Sequence, residues 1–406
     1  MRRWLSGSPL GIDRRVWPIA GSGLLMGTGI GIVIPVLPML ARDLGLSSVE
    51  FGSVVSVLGL ARLVANVPAA YIADNIGRKP LLVAGPLGTA ASLVGTGLSS
   101  SVQELVAWRF CTGVGGSMQM TGGQSYLADI STPQNRARTI APMAIAFQTG
   151  FAVGPSISGY LAEAYGIRVP FFVVGAAITA VALSNHLLLT ETLRKSSEES
   201  KHKKYNVLGV WKDLLKDKDV LRISSLHALF WVSSSGSIFT LLPLLASEKL
   251  GLGVGSIGAL FTMFAIVGVI GAQPSAWMSD KYGRRKVILP AMAIMSTALA
   301  LMPFVNTPEQ LYAVAGVWAV GSSILGSSPT AYLSDLVAPE QRGQALGLLR
   351  SAGDLGLMIG AGTLGAIAHW VSMPAAFYFN STLLAGITVN FALRARETSG
   401  PQASES

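Results

Sequence analysis

Tyr71-Ile-Ala-Asp-Asn-Ile-Gly-Arg-Lys79 returns 206 residues later as Trp277-Met-Ser-Asp-Lys-Tyr-Gly-Arg-Arg285. The same offset carries Tyr126-Leu-Ala-Asp-Ile-Ser-Thr-Pro-Gln-Asn-Arg136 onto Tyr332-Leu-Ser-Asp-Leu-Val-Ala-Pro-Glu-Gln-Arg342, and Glu191-Thr192 onto Glu397-Thr398. Gly150, Gly154 and Gly159 map onto Gly356, Gly360 and Gly365, while Pro155 has Ala361 as its counterpart. One constant offset through separate segments marks a duplication. The chain therefore reads as two parallel halves, 1–192 and 222–398, with a short tail, 399–406. The segment 193–221 is rich in Lys, Ser and Glu and reads as a cytoplasmic linker, with a surface helix expected over 206–218.

What each half is made of follows from composition. The 406 residues are 50% hydrophobic and 13% charged, against about 25% charged in an ordinary soluble domain. Mean hydropathy is +0.52. Apolar stretches long enough to cross a bilayer fall near 17–41, 52–73, 80–99, 102–128, 139–162, 168–190, 222–246, 256–278, 286–305, 309–334, 344–369 and 373–393. These are numbered spans 1 to 12 below. Barrel strands would be shorter and would alternate, so the spans read as helices. The expected fold is an all-α membrane protein of twelve transmembrane helices in two pseudosymmetric six-helix bundles.

The net charge of +9 invites a nucleic-acid reading, which its distribution opposes. With the amino terminus placed in the cytoplasm, only Arg42, Arg168 and Lys249 fall in outer loops. Arg62, Arg109 and Arg350 lie within spans, and every other Lys and Arg falls in the tails or the inner loops. That is the positive-inside bias of a multi-pass protein, with both termini cytoplasmic, or on the stromal or matrix side in an organelle. The basic start, Arg2, Arg3, Arg14 and Arg15 with Asp13, reads as a cytoplasmic tail, without a signal-peptide cleavage pattern. The single cysteine, Cys111, excludes internal disulfides and reads as packing. No metal or cofactor motif stands out.

At the repeated loops the chain resembles the major facilitator superfamily. Asp74-Asn-Ile-Gly-Arg-Lys79 and Asp280-Lys-Tyr-Gly-Arg-Arg285 resemble the family's loop motif and its second copy. Arg109, Thr112, Gly113 and Gly115 resemble its span 4 motif. Gly150-x-x-x-Gly154-Pro155-x-x-Ser158-Gly159 resembles the span 5 motif of the twelve-helix drug:proton antiporter subgroup, with Ser158 where glycine is usual, and Glu191-Thr192 closes span 6 as in that subgroup. The resemblance implies alternating access, with Asp74, Gly77, Arg78, Asp129, Arg136, Asp280, Gly283, Arg284, Asp335 and Arg342 as gating residues, together with the span 5 residues Gly150, Gly154, Pro155 and Gly159. The plain alternatives are that basic loops merely fix topology and that small residues merely pack. Many proton-coupled members of that subgroup carry an acid in span 1. Here Trp17–Leu40 contains none, so proton coupling is either absent or placed elsewhere.

Ionisable groups at membrane depth are costly and mark function by default. Arg62 and Asp354 lie about ten residues from their span ends, roughly 15 Å deep at 1.5 Å per residue. Arg350 precedes Asp354 by one turn, so the two are expected on one face. Arg109 and Gln119 fall on one polar stripe of span 4, and Asn66 lies one turn from Arg62. Gln148 is the repeat counterpart of Asp354, and His227 and Trp231 lie one turn apart in span 7. These nine residues are the candidate substrate and coupling site. Asp354 reads either as a protonatable coupling acid or as half of a structural ion pair with Arg350. Glu163 and Arg168 read as solvated residues of an outer turn.

The expected function is secondary transport of a small organic solute, by proton-coupled efflux or antiport. The open alternatives are a facilitator or importer of an organic anion without proton coupling, and a non-transporting receptor on the same fold. An enzyme is not expected, since no nucleophile–base pattern or phosphate-binding loop occurs. The expected partners are the lipid bilayer, a small-molecule substrate and protons, with the monomer as functional unit and no nucleic acid.

Overall fold

A computed structural model describes residues 13–132, 135–193, 207–338 and 341–398. Arg2, Arg3, most of the linker (194–206), the tail 399–406 and the middle of the second repeated segment and its copy (133–134 and 339–340) lie outside the described residues. The described structure is helical. Eleven helices are long and apolar enough to cross a membrane: Val16–Asp43, Ser48–Asn75, Arg78–Leu98, Arg138–Tyr165 (the apolar part of Arg136–Tyr165), Val169–Leu188, Lys218–Lys249, Val254–Tyr282, Arg284–Phe304, Pro308–Leu336, Arg342–Trp370 and Met373–Arg394. The twelfth helix is Val102–Asp129, long enough at 28 residues but diluted by Arg109, Gln119 and Gln124. Bulky apolar side chains stand outward, Leu187 at 79% exposure and Leu393 at 77% among them. An apolar exterior over helices of this length suits a hydrocarbon solvent. A linker helix, Val207–Leu214, precedes span 7. It is shorter than the expected 206–218, and its Trp211 indole N–H donates to the Gln344 carbonyl at 3.1 Å.

By contacts, one compact unit comprises Met1–Gly45, Leu60–Lys201 and Val254–Thr262, and the other Leu46–Gly59, His202–Gly253 and Met263–Ser406. In the first unit, span 1 packs along span 5 and span 3 packs on spans 4 and 6. In the second, span 7 packs along span 11 and span 9 packs on spans 10 and 12. The pairing pattern is the same after the 206-residue offset.

The closest of these contacts are made by backbone. A Cβ on Gly150 would lie 1.8 Å from the Leu24 carbonyl oxygen, and one on Gly27 would lie 2.0 Å from that of Phe147. In the second unit, Gly356 faces the Ala228 carbonyl at 2.1 Å and Gly360 faces that of Val232 at 2.3 Å on the same measure. Small residues permit such approach, and packing of this kind holds helices together in lipid. Glu163 is not merely solvated. It accepts the Gly255 N–H at 2.9 Å, within the first unit, where the start of span 8 lies against Pro155 and Gly159. Arg168 likewise donates to the Gly97 carbonyl at 3.0 Å.

The repeated loops are closed by a carboxylate that sequence reasoning had only noted as a span terminator. Gly77 has φ +145° and Gly283 φ +109°, backbone that suits glycine. Behind Gly77, Glu191 accepts the N–H groups of Arg78 (3.0 Å) and Lys79 (3.1 Å) at the start of span 3, and those of Thr192 and Leu193 (both 2.9 Å). An acid at a helix N-terminus satisfies orphan donors and complements the helix dipole. Glu397 does the same for span 9, but through Arg285 (3.1 Å) and Lys286 (3.4 Å). The one-residue shift has a simple cause. The counterpart of Lys286 is Pro80, which has no N–H to give.

Span 1 is divided at Ile32 into Val16–Gly31 and Val33–Asp43, and spans 7 and 10 depart further from regular α-helix. Span 7 is π-helical over Ser233–Leu241 and again over Leu245–Lys249. Span 10 is helical over Pro308–Leu325 and Ser328–Leu336, interrupted at Gly326 with φ +43°. Ser275 of span 8 donates to the Ile324 carbonyl at 2.7 Å, satisfying backbone beside the break. The counterpart of Gly326 in span 4 is Met120, for which positive φ is strained, and Val102–Asp129 runs unbroken.

Two outcomes follow from these contacts. Gly150→Val forces span 5 away from span 1 and lowers stability by at least ~1–3 kcal/mol, read as a drop in melting temperature in detergent. Gly88→Val, with nothing within 4 Å of its Cβ position, leaves it nearly unchanged. For Glu191, burial raises the carboxyl pKa, but the N–H donors of Leu193, Arg78, Lys79 and Thr192 outweigh it and hold it below its ordinary value. A folded pKa below the unfolded one adds stability above the unfolded pKa, and this is lost as pH falls through the folded value. Glu191→Gln is therefore less stable than the parent at neutral pH, and the gap closes on acidification below about pH 4; an unchanged gap there would rule the acid out as the cause.

Candidate functional site

Within each half the loop residues pair with one another. Arg78 pairs with Asp129 at 2.9 Å and Asp74 at 3.5 Å, and Thr192 Oγ1 donates to Asp129 at 2.8 Å. In the second copy Arg284 pairs with Asp335 at 3.3 Å and with Asp280, and Thr398 Oγ1 donates to Asp335 at 3.3 Å. Burial lowers the Arg284 pKa, but the two carboxylates outweigh it and raise it above the ordinary guanidinium value. Each arginine thus ties the end of one span to the end of another through an aspartate shared with a threonine. Arg136 is exposed and Arg342 donates to the Ser334 carbonyl at 3.2 Å, outside the carboxylate network. Gly154 and Pro155 lie against span 1, where a Cβ on Gly31 would meet both.

Polar groups at mid-span divide between the units. In the first unit, Arg109 is 4% exposed and Gln119 2%. Arg109 Nε and Nη1, and both amide atoms of Gln119, have no hydrogen-bond partner among the described residues. A buried guanidinium with unmet donors is expensive, so this stripe is not simply satisfied core. Thr112 on the same stripe shares a hydrogen bond with Ser92 at 2.8 Å, which joins spans 3 and 4. Arg62 and Asn66 are half-buried, and the Arg62 carbonyl accepts from Ser117 at 3.5 Å. Gln148 is exposed.

In the second unit, Asp354 is 3% exposed and follows Gly353, which lies against the side chains of His227 and Trp231. Trp231 Nε1 donates to His227 Nε2 at 3.2 Å. Two of the expected residues, His227 and Trp231, are thus seated together against the residue before Asp354. Arg350, one turn before, is exposed while Asp354 is buried. Cys111, expected to pack, is also exposed.

The sequence reading passed over two buried amides. Asn380 of span 12 accepts from Ser233 at 3.0 Å and donates to Ser237 at 2.7 Å, bracing the π-helical stretch. Asn185 of span 6 donates to Ser22 at 3.2 Å and to the Leu82 carbonyl at 2.8 Å. The run Ser233-Ser-Ser-Gly-Ser237 in an apolar span was a visible signal for the first. A lone asparagine gave none for the second.

Comparison with known proteins accords with this arrangement. Residues 19–255 and 228–406 match the Major Facilitator Superfamily. The chain is 28% identical over 373 residues to Multidrug resistance protein 1 of Bacillus subtilis, covering 90% of this chain and 93% of that one. It is 26% identical over 384 residues to Quinolone resistance protein NorA of Staphylococcus aureus, covering 93% and 96%. Among solved structures it is similar to a POT family transporter in complex with a thioalcohol-conjugated peptide, with TM-score 0.77 and 14% identity over 96% of this chain and 97% of that one. The duplicated loops, the paired bundles and the match across both halves place this multi-pass membrane protein in the Major Facilitator Superfamily.

Proposed function

We propose that the chain exports drug-like organic molecules from the cytoplasm in exchange for protons, with 1–192 and 222–398 as the two bodies of an alternating-access cycle and both termini cytoplasmic. The two bacterial relatives, a multidrug resistance protein and a quinolone resistance protein, support drug efflux. The observation that carries the coupling is Asp354, a carboxyl 3% exposed on span 11, in a protein whose span 1 has no acid. A buried carboxylate that can gain and lose a proton is what exchange needs, and intramembrane acids serve as such relays. In this reading the Asp74–Arg78–Asp129 and Asp280–Arg284–Asp335 clusters hold span ends during the cycle, and the nine mid-span residues contact solute or protons.

Reconstitution tests this directly. Proteoliposomes are loaded with a quinolone or a cationic dye, and flux is followed with and without a pH gradient. Flux that follows the gradient is the expected result. Asp354→Asn should bring gradient-driven flux down to that of protein-free vesicles while leaving solute exchange at equal pH intact. Gradient-driven flux that survives the change would remove Asp354 from coupling.

A second reading, transport of an organic anion, is favoured by Arg109, whose Nε and Nη1 have no partner among the described residues. Under that reading Arg109→Gln weakens binding of carboxylate solutes by about tenfold or more, since charge-assisted hydrogen bonds contribute roughly 1.5–3 kcal/mol. Neutral solutes change little. Equal losses for both classes, measured by equilibrium binding, would leave Arg109 a structural role.

A further inference from the structure

His227, Phe230 and Trp231 project from one stretch of span 7 and form an aromatic cluster. Phe230 stacks on His227 with ring centroids 6.4 Å apart and planes at 28°. It meets Trp231 edge-on at 5.7 Å and 76°. All three are half-buried. Gly353 of span 11 closes the other side: a Cβ there would lie 2.8 Å from Trp231 Cδ1 and 3.2 Å from His227 Nε2. The pair is therefore held in place from behind.

The hydrogen bond within the cluster fixes the proton on the imidazole. Indole has one N–H and no acceptor. Trp231 Nε1 donates to His227 Nε2 at 3.2 Å, so Nε2 carries no proton and the neutral ring bears it on Nδ1. An imidazolium would point an N–H at the indole N–H. Nδ1 is buried and has no hydrogen-bond partner among the described residues. An unpaired buried donor is costly, and a solute acceptor there relieves that cost.

We propose that this cluster is the recognition element for planar aromatic solutes carrying a neutral hydrogen-bond acceptor such as a ring carbonyl, which the His227 Nδ1–H meets while the ring lies against Phe230 and Trp231. The inference rests on the transporter reading and narrows its substrate class. Trp231 acts as a positioning residue: it contacts the solute ring and also holds the imidazole in the donor tautomer. A planar ring without an acceptor binds by stacking alone and leaves Nδ1 unmet.

Fluorenone and fluorene are a matched test pair, both planar and of like size, differing by a carbonyl against a methylene. Their affinities are measured on the purified full-length protein by calorimetry in detergent. Fluorenone should bind about fivefold more tightly, the worth of one hydrogen bond of roughly 1 kcal/mol. His227→Phe should abolish that preference, and Trp231→Phe, which frees the tautomer, should narrow it. Nitrogen-15 spectra of the unmodified protein should show His227 protonated at Nδ1, with that resonance moved by fluorenone and not by fluorene. If His227→Phe does not fold, the spectra and Trp231→Phe still decide. Equal affinities for the two ligands, or a ring protonated at Nε2, would overturn the proposal. Transport without the preference defeats this inference alone, and the preference without transport defeats the transporter reading alone.

Discussion

Two helices that touch through their main chains leave no freedom for the side chains at the contact. Span 5 meets span 1 in this way at Gly150 and Gly27, and span 11 meets span 7 at Gly356 and Gly360. In lipid there is no hydrophobic drive to bring helices together, so close packing must supply the association. The rest of each unit is hung on that seam. It brings Gly353 against His227 and Trp231.

The seam fixes the middle of each bundle, and the duplicated loops fix one end. There the work is electrostatic. A glycine with positive φ turns the chain, an acid from the last span of the half caps the new helix, and an arginine gathers two aspartates. The two copies are not identical. Pro80 removes a donor, so Glu191 takes the first two N–H groups of span 3, whereas Glu397 takes the second and third of span 9. The architecture tolerates that slip because a carboxylate at a helix terminus interacts with the whole first turn.

Much of this was legible in the chain, because duplication and long apolar runs are patterns over many residues. The helical spans could be read from the apolar runs, and the second copy of the loop from the offset between Asp74 and Asp280. Glu191 and Glu397 were noticed, but only as ends of spans, since nothing in a sequence says that a carboxylate folds back on a helix more than a hundred residues earlier. The broken span 10 was hidden for another reason. Gly326 is one glycine among many, and only the backbone shows that it takes positive φ. The different exposures of Arg350 and Asp354 were not legible, because spacing along a helix tells which residues are neighbours, and not which strip a second helix will cover. Asn185 was silent because its partners are a serine and a carbonyl on two other spans.

The π-helical stretch of span 7 also bears on how this chain can change by mutation. A π turn closes its hydrogen-bonded ring with one residue more than an α turn. Loss of a single residue between Ser233 and Leu241 would let the stretch rewind as ordinary helix. His227 and Trp231 before it would then keep roughly their facing relative to the residues that follow, because the wide turn absorbs the extra residue that regular α-helix would turn into about 100° of rotation. The stretch is thus a place where the chain can lose one residue while the cluster beside Gly353 keeps its face.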